Sequence, residues 1–302
     1  MRMKRSDPAG PGWTRRRRGK GFTYLDSAGD PLGANDVARC KALVIPPAWR
    51  EVWICPFENG HIQAVGVDDA GRRQYLYHER WRQERDEEKY DRVLRLAPKL
   101  PAFREQIEAD MKGRGRKRRL AIGLRLLDLG IFRVGHEEYV EDGTHGVATL
   151  LCRHVRVRST SVFFCFPAKS GVEVAQDVDD PDLARALRPL TRGLGEDDRV
   201  FDLTANDLND RFRELVGDEF SVKDLRTWHA TVYAAQAFAR AGKPSKRAVS
   251  RVMKEVAEEL GNTPAVARKS YVDPRLVERF ERGEVIGTRG DPERATLRML
   301  KR

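Results

Sequence analysis

The chain has 302 residues, of which 40% are hydrophobic and 34% are charged, and its 57 lysines and arginines against 46 aspartates and glutamates give a formal net charge of +11. This composition excludes a largely disordered chain, because it supplies enough apolar side chains for a substantial core. It also excludes a disulfide framework and a helical membrane span, since the cysteines form no C-x-x-C pair and no run of about eighteen apolar residues occurs.

The excess of positive charge indicates an anionic partner, for which nucleic acid, an anionic membrane surface and an acidic protein all qualify. The amino-terminal residues lack the apolar stretch of a signal peptide, so we expect a soluble protein in the reducing interior of the cell. A chain of this length is expected to hold two domains of about 100 to 200 residues each.

Residues 1–20 are rich in glycine, proline and arginine and are predicted to form a flexible basic tail. For the four arginines Arg15 to Arg18, the alternatives are a disordered tail, a nuclear signal and an arm that grips nucleic acid. From residue 21 to 82 the pattern changes to short strands separated by turns, namely F-T-Y-L, V-W-I-C, H-I-Q-A-V-G-V and R-Q-Y-L-Y. Because D-D-A-G-R-R supplies Asp and Gly for a hairpin turn, this region is predicted to be a small β-rich domain.

Residues 83–302 are predicted to be mainly helical, with a short linker near Glu79 to Glu88 at the domain boundary. The run K-R-R-L-A-I-G-L-R-L-L-D-L-G-I-F predicts a buried helix that leads directly to Arg133. An island of β structure, H-V-R-V-R and S-V-F-F-C-F-P, interrupts the helices, and the S-G after Lys169 predicts that this lysine lies on a hairpin rim. The predicted fold class is therefore α+β, with a small amino-terminal antiparallel sheet domain followed by a mainly helical domain that contains a β-hairpin island.

Five polar residues in the second half of the chain have the chemistry to cut a phosphodiester bond. The transition state of that reaction spreads negative charge over the phosphoryl oxygens, so catalysis needs fixed cations, a nucleophile and a proton for the leaving oxygen. Two arginines can grip the non-bridging oxygens, a lysine can protonate the leaving hydroxyl, and a tyrosine phenol can attack phosphorus. The candidates are Arg133, Lys169, Arg226, Asn262 and Tyr271, and this set requires no metal ligand.

Each candidate also has a purely structural interpretation. An arginine in a highly charged chain is usually solvated or ion-paired, and a tyrosine often fills the edge of a core. Lys169 can be a solvated turn residue, and Asn262 in N-T-P can simply cap a helix. Ser221 is predicted to cap the helix that holds Arg226, whose guanidinium then either pairs with a structural carboxylate or waits for a phosphate. His229, one helical turn further on, is an acid–base group or, as we favour, a hydrogen-bonded core histidine.

The local sequence around these residues resembles that of the type IB DNA topoisomerases, in particular the compact poxvirus and bacterial members. The motifs occur in the family's order, and the resemblance covers roughly residues 40 to 280. Those of the amino-terminal half are I-P-P-A-W (45–49), V-W-I (52–54), D-A-G-R-R-Q-Y-L-Y-H (69–78) and E-R-W-R (79–82). Those of the catalytic half are F-R-V-G-H-E-E-Y (132–139), T-H-G-V-A-T-L-L-C-R-H-V (144–155), F-P-A-K-S-G (166–171), K-D-L-R-T-W-H-A-T (223–231) and N-T-P-A-V-A-R-K-S-Y-V-D-P (262–274).

The resemblance implies an isomerase that relaxes supercoiled DNA of both signs by cutting and resealing one strand, without ATP, a metal or another cofactor. Tyr271 then attacks the scissile phosphorus to give a 3′-phosphotyrosyl enzyme, Arg133 and Arg226 stabilise the developing charge, and Lys169 protonates the leaving 5′ hydroxyl. Asn262 adds a hydrogen bond to a phosphoryl oxygen. Poxvirus and many nuclear relatives have a histidine there, and since asparagine carries no proton, histidine-dependent pH behaviour is not expected at this position.

The resemblance also implies a set of DNA contacts. Gln74, Tyr75 and Tyr77 match the family's G-R-x-Q-Y-x-Y segment, which in poxvirus enzymes contacts bases in the major groove, and glutamine can read an adenine edge. Because the two tyrosines share a strand face, packing into a core is the alternative for one of them. In a second poxvirus contact segment only Tyr139 matches, and the two glutamates before it would repel phosphate. We therefore do not expect the strict pentanucleotide preference of the poxvirus enzyme.

Two other functions remain as alternatives. A tyrosine recombinase uses the same chemistry, and its H-x-L-R-H motif is similar to L-R-T-W-H-A-T, but its amino-terminal half is a helical core-binding domain. A basic DNA-packaging protein needs charge without a catalytic set. We expect a monomer, because one active site suffices for cutting one strand and no heptad seam occurs. We also expect that it closes a clamp on double-stranded DNA in the cytoplasm, associated with the nucleoid. No membrane contact and no obligatory protein partner are expected.

Overall fold

The computed structural model describes residues 2–19, 21–141, 143–168 and 172–301, and the chain consists of two compact units, Met1–Lys89 and Tyr90–Arg302. The first unit is built on an antiparallel sheet and the second mainly on helices, so the α+β prediction is confirmed. In the part of the chain described, we find no helix with the length and apolar character needed to cross a membrane.

The sheet of the first unit has five antiparallel strands. They are β1 (Trp13–Arg18), β2 (Gly21–Leu25), β3 (Arg50–Ile54), β4 (Ile62–Val67) and β5 (Arg73–Tyr77), and α1 (Ala34–Ala42) lies between β2 and β3 in the sequence. Across the sheet the order is β2-β1-β3-β4-β5, and the strands predicted from the sequence correspond to β2 to β5. Ile54 and Ala64 from the strands pack with Tyr24 and Cys40 into a small core.

The prediction of a flexible tail over residues 1–20 is wrong for Trp13–Arg18, because this segment is β1 and pairs with a strand on each side. Arg15 stabilises the arrangement. Its guanidinium donates hydrogen bonds to three main-chain carbonyls in the segment 45–49, at 2.9 to 3.0 Å, and lies 4.0 Å from the centre of the Phe22 ring. An arginine-rich segment is disordered only when its arginines lack partners. The carbonyls that bind Arg15 are about thirty residues away in the sequence, so the local composition does not reveal them.

The linker predicted near Glu79 to Glu88 is instead the first part of α2 (Glu79–Leu96), and the division between the units falls inside this helix, after Lys89. Oppositely charged side chains on its exposed face have helical spacing, as in the pair of Arg80 with Glu84 at 2.9 Å. The highly polar segment from Glu79 to Glu88 is therefore helical, although its composition predicts a linker between the domains.

The second unit contains nine further α-helices in its described part, packed around two central ones. These are α3 (Leu100–Met111), α4 (Gly115–Asp128), α5 (Pro181–Thr191), α6 (Ala205–Val216), α7 (Val222–Arg240), α8 (Lys246–Glu259), α9 (Pro264–Ser270), α10 (Pro274–Glu281) and α11 (Pro292–Leu300). Helix α4 is the buried helix predicted before Arg133, and α7 begins after the predicted cap, Ser221. Leu124 and Leu126 of α4 and Trp228 of α7 are completely buried, which places the core between these helices and their neighbours.

The β island is a three-stranded antiparallel sheet of β6 (Val155–Val157), β7 (Ser161–Ala168) and β8 (Val172–Asp179), with β7 in the middle. The sequence patterns predict the first two strands and miss the third, although V-E-V-A-Q-D-V-D alternates as a strand does. The prediction that Lys169 lies on a hairpin rim concerns residues between β7 and β8 that are outside the described part of the chain.

Candidate active site

Arg133 follows α4, and its backbone is held by a close contact between two glycine-containing segments. The N–H of Val147 donates to the carbonyl of Arg133 at 2.9 Å. A Cβ at Gly146 would lie 2.5 Å from the backbone nitrogen of Gly135, which itself has a positive φ of 80°. Only glycine permits this approach and this backbone conformation together. The R-V-G-H and T-H-G-V segments therefore fix the point from which the Arg133 side chain extends.

Arg226 is buried on α7, with 4% of its surface exposed, and main-chain carbonyls surround its guanidinium. Nη1 donates to Gly130 at 3.0 Å and to Ile131 at 2.5 Å, and Nη2 donates to Leu260. The buried Nε has no hydrogen-bond partner among the described residues. Burial, followed by repulsion from Arg133, lowers the pKa of Arg226 to about 10. A positive charge is thus held in the interior without a carboxylate from the described residues beside it.

Asn262 contacts Arg133, and the interpretation of Asn262 as a helix cap is wrong. The N-cap of α9 is Thr263, whose hydroxyl accepts a hydrogen bond from the N–H of Val266 at 3.3 Å. Oδ1 of Asn262 accepts from Nη2 of Arg133 at 2.7 Å, and its buried Nδ2 finds no partner within the described residues. An unpaired buried amide donor costs about 1–3 kcal/mol, and a ligand that supplies an acceptor removes that cost.

Tyr271 ends α9, and its backbone is fastened to the helix that carries Arg226. The hydroxyl of Thr231 on α7 accepts from the N–H of Asp273 at 3.2 Å, and its single proton is shared between the carbonyls of Thr227, at 2.9 Å, and Tyr271, at 3.2 Å. The guanidinium carbon of Arg226 lies 5.4 Å from the centre of the Tyr271 ring. Because Thr231 and Arg226 share α7, the backbone of Tyr271 and the guanidinium of Arg226 are both attached to this helix.

A pocket of about 310 Å³ is lined by Arg133, Arg226 and Tyr271 together, and by Lys223 and Tyr139. None of the described residues that line it is an aspartate or a glutamate, so the positive charges are not balanced within it. Burial also lowers the pKa of Arg133, because the charged form of its guanidinium is less stable away from water when no anion is beside it. The arrangement is suited to an anion with several acceptor oxygens, such as a phosphodiester.

Lys169 lies outside the described residues, but the strand that precedes it is tied to the pocket. Ala168 at the end of β7 pairs with Val172 at the start of β8. The N–H of His145, a residue that lines the pocket, donates to the carbonyl of Pro167 at 2.9 Å. The strand before Lys169 is therefore connected to the loop that walls the pocket.

Tyr139 lies in the pocket wall, close to the two glutamates that precede it in the sequence. Glu137 forms a bidentate ion pair with Arg199, at 2.6 and 2.5 Å, and this arginine holds the pKa of Glu137 below its usual range. The negative charge of Glu137 is thus balanced by Arg199, which weakens the repulsion of phosphate expected from the sequence.

The candidate DNA contacts of the first unit form an exposed aromatic stripe on β5. Tyr75 and Tyr77 are 42% and 39% exposed, and their rings stack with centres 6.1 Å apart, so the interpretation of one of them as a core residue is wrong. Gln74 points to the other side of the strand, where Nε2 donates to Oδ2 of Asp68 at 2.9 Å. The two tyrosines are accessible to a ligand, whereas the amide of Gln74 is already engaged in the hairpin turn.

His229 is hydrogen-bonded to Asp128, with Nε2 3.2 Å from Oδ1, and it is absent from the residues that line the pocket. Arg104 donates to the same carboxylate at 2.8 Å, so this histidine is part of a buried polar cluster, as we favoured. Sequence reasoning missed Lys223, whose signal is its position three residues before Arg226 on the same helix, and Thr231, for which the spacing gives no signal. In the described part of the chain, no group of three or more His, Cys, Asp or Glu residues is arranged to hold a metal ion.

Comparison with known families identifies the chain. Residues 78–283, more than half of the chain, match the family model of the eukaryotic DNA topoisomerase I catalytic core. Residues 21–68 match the N-terminal domain of bacterial DNA topoisomerase IB. The chain belongs to the type IB DNA topoisomerase family. It is therefore an isomerase that binds DNA, and the match of its amino-terminal part separates it from the tyrosine recombinases, the alternative raised by the L-R-T-W-H-A-T motif.

Individual relatives agree with this type IB topoisomerase assignment. DNA topoisomerase 1B of Acanthamoeba polyphaga mimivirus is 27% identical over 93% of this chain and 91% of its own length. DNA topoisomerase 1B of Vaccinia virus (strain Western Reserve) is 25% identical over 71% of each chain. DNA topoisomerase 1 of Caenorhabditis elegans is 24% identical over 69% of this topoisomerase but only 28% of its own length. The catalytic-core match includes Arg133, Arg226, Asn262 and Tyr271 in one continuous stretch.

Proposed function

We propose that this topoisomerase relaxes supercoiled DNA of both signs by cutting one strand through a 3′-phosphotyrosyl intermediate at Tyr271, allowing rotation, and resealing the strand. The observation that carries this proposal is the pocket in which the buried guanidinium of Arg226 and the half-buried guanidinium of Arg133 adjoin one phenol, without a lining carboxylate among the described residues. A buried positive charge that lacks an anion is costly, and a scissile phosphate would supply the anion.

In the cleavage step the phenolic oxygen of Tyr271 forms a bond to phosphorus as the bond from phosphorus to the 5′ oxygen breaks. The phenol loses its proton to solvent, and the 5′ oxygen takes a proton from Lys169, which follows β7 in the sequence. Resealing reverses both proton transfers when the 5′ hydroxyl attacks the phosphotyrosine. One phosphodiester is exchanged for another, so the energy of the broken bond is conserved and ATP is not needed.

The two arginines and Asn262 have the donors to stabilise the transition state. Arg133 and Arg226 can each approach a non-bridging oxygen. Nε of Arg226 and Nδ2 of Asn262 are buried donors of this site that have no acceptor among the described residues. Donors that are already fixed before the reaction stabilise charge without paying for reorganisation. The guanidiniums of Arg133 and Arg226 supply the charge stabilisation for which other phosphoryl-transfer enzymes use metal ions. We therefore propose that the reaction proceeds in the presence of a metal chelator.

The test is relaxation of negatively and positively supercoiled plasmid in EDTA without nucleotide by the wild-type chain and by Tyr271→Phe. We expect wild type to relax both plasmids and Tyr271→Phe to relax neither, because phenylalanine has no oxygen to attack phosphorus. Wild type should also leave protein bound covalently to the 3′ end of a nicked strand when the reaction is stopped with detergent.

The matched control is Tyr233→Phe, which removes the same hydroxyl from α7 at a position that does not line the pocket. It should relax plasmid at the wild-type rate. Relaxation by Tyr271→Phe, or a covalent adduct at a 5′ end, would contradict the proposed mechanism. No relaxation by wild type would contradict the proposed activity itself.

A further inference from the structure

The amino-terminal residues 3–6 are fixed against the loop before β4. The N–H of Lys4 donates to the carbonyl of Asn59 at 2.8 Å, and the N–H of His61 donates to the carbonyl of Lys4 at 2.9 Å. The N–H of Ser6 donates to Nδ1 of His61 at 2.8 Å, and its hydroxyl donates to the carbonyl of Ile62 at 2.9 Å. This segment therefore adds side chains to the surface of the first unit at defined positions.

A second pocket, of about 670 Å³, lies within the first unit, between this segment and the first turns of α2. Its lining combines four cations with three rings and contains one acidic residue among those described. The cations are Lys4, Arg5, Arg82 and Arg85, the rings are those of His61, Tyr77 and Trp81, and the acid is Asp86. The Asp86 carboxylate is already paired with Lys89 at 3.1 Å, so the pocket keeps a strong excess of positive charge.

Two of the four cations have no carboxylate partner among the described residues, namely Arg5 and Arg82, and both are exposed. The ammonium group of Lys4 lies 3.1 Å from the centre of the Phe57 ring, and Arg85 pairs with Glu88 at 2.8 Å. A free guanidinium offers a planar fork of donors that matches two oxygens of a phosphate. Arg5 and Arg82 are therefore the groups in this pocket that can receive an anion without breaking an existing ion pair.

The aromatic wall connects this pocket with the exposed stripe on β5. Tyr77 belongs to both, since it lines the pocket and stacks on Tyr75. Trp81 contacts the His61 ring edge-on, with centres 5.0 Å apart, which holds the indole at the pocket wall. A surface that joins exposed aromatic rings to free arginines is typical of nucleic-acid binding. The match to the bacterial N-terminal domain begins at residue 21, so Lys4 and Arg5 lie outside it.

We propose that this pocket is an additional phosphate-binding site for the backbone of duplex DNA, in which Arg5 and Arg82 each contact a phosphate. The proposal rests on the proposed function, because the occupant is the duplex on which the enzyme acts. These contacts are independent of base sequence and strengthen the hold of the first unit on DNA. They extend the binding surface from β5 to residues 3–6 of the chain.

The test compares Arg82→Ala with Arg80→Ala, both in the non-cleaving Tyr271→Phe background. The two arginines are in the same helix turn and both changes remove one positive charge, but Arg80 is paired with Glu84 and does not line the pocket. Affinity for a duplex is measured over a range of salt concentrations, with Arg5→Ala as a third variant. We expect the slope of log affinity against log salt to become shallower by about 0.9 for Arg82→Ala and for Arg5→Ala, and to change little for Arg80→Ala.

Equal slopes for Arg82→Ala and Arg80→Ala, with melting temperatures equal to that of the parent, would overturn the proposed site. Because Arg5 and Arg82 are exposed, neither change is expected to unfold the chain. Failure of the proposed function is a separate result, since it appears as absence of plasmid relaxation by wild type. The slopes are measured without cleavage and report on the pocket in either case.

Discussion

At the scale of single residues, Arg226 and Asn262 keep a buried positive charge and buried hydrogen-bond donors that the described residues do not fully satisfy. Arg226 is buried among carbonyls with a free Nε, and the amide of Asn262 is half satisfied by Arg133. The carbonyl contacts of Arg226 stabilise the fold, but they use only its two Nη atoms. They do not account for the two buried donors that find no acceptor among the described residues, Nε of Arg226 and Nδ2 of Asn262. We propose that phosphate oxygens of bound DNA accept from these two donors.

His154 is a buried residue for which the same physical argument predicts a pH effect. Its Nδ1 accepts a hydrogen bond from the N–H of Leu151 at 3.1 Å, and its ring centre lies 4.5 Å from that of His145. Burial, then repulsion from His145 and Arg153, lowers the pKa of His154 to about 4. An unfolded histidine takes up its proton near pH 6.5, so between about pH 6.5 and 4 the unfolded chain binds more protons at this site than the folded chain does.

We therefore predict that the His154 contribution to the free energy of unfolding is fully present above about pH 6.5 and is lost as the pH falls toward 4. The check is the melting temperature of wild type and His154→Gln between pH 7 and 4. Glutamine retains an acceptor for Leu151 but does not titrate, so the variant should lose less stability across this range. Parallel curves for the two proteins would contradict the prediction.

At the scale of secondary-structure elements, the end of α2 is bonded to the two segments that carry Arg226 and Tyr271. Arg92 forms two hydrogen bonds to Asp224 at the start of α7, at 3.2 and 2.8 Å. One residue earlier in the helix, Asp91 pairs at 2.8 Å with Arg275, which also binds Asp273. Two neighbouring residues of α2 therefore influence the relative placement of Arg226 and Tyr271, the proposed catalytic arginine and the proposed nucleophile.

We predict that Arg92→Met destabilises the chain by about 3 kcal/mol, because it leaves the buried carboxylate of Asp224 without its counter-ion. Chemical denaturation measures this loss, and single-turnover cleavage should slow as the start of α7 shifts. Arg95→Met is the control in the same helix, since Arg95 and Glu219 are 53% and 51% exposed and such a pair is worth about 1 kcal/mol or less. An equal loss in the free energy of unfolding for Arg92→Met and Arg95→Met would contradict the prediction that the buried Arg92–Asp224 pair contributes more than the exposed Arg95–Glu219 pair.

At the scale of the whole molecule, the formal charge of +11 is carried by two units that each present basic residues around an open pocket. Phosphate contacts by such surfaces release counter-ions from DNA, so affinity depends steeply on salt.

We predict that the affinity of the Tyr271→Phe chain for duplex DNA falls by about 10³ to 10⁵ between about 50 and 200 mM salt, as expected for roughly six to ten phosphate contacts. Fluorescence anisotropy with a labelled duplex provides the measurement. A flat salt profile would contradict a binding surface dominated by phosphate contacts.

Much of the fold and the site was predictable because the relevant patterns are local. Strands β2 to β5 alternate or contain β-branched residues, α4 has a long apolar run, and S-V-K-D-L-R contains its own helix cap. The catalytic candidates were predictable from what arginine, lysine and tyrosine can do to a phosphodiester, together with the family motifs around them. The strand β8 was missed although its alternating pattern, V-E-V-A-Q-D-V-D, is local.

The sequence by itself determined the fold class, the family and the chemical groups, because residue chemistry and hydrophobic periodicity do not depend on remote contacts. Only the tertiary structure decided that Arg15 binds the segment 45–49, that Thr263 caps α9 while Asn262 contacts Arg133, and that Tyr75 and Tyr77 both face outward. Each of these outcomes depends on partners that are distant along the chain, or on which face of a strand the core covers. Such partnerships are settled by packing, and no local pattern encodes them.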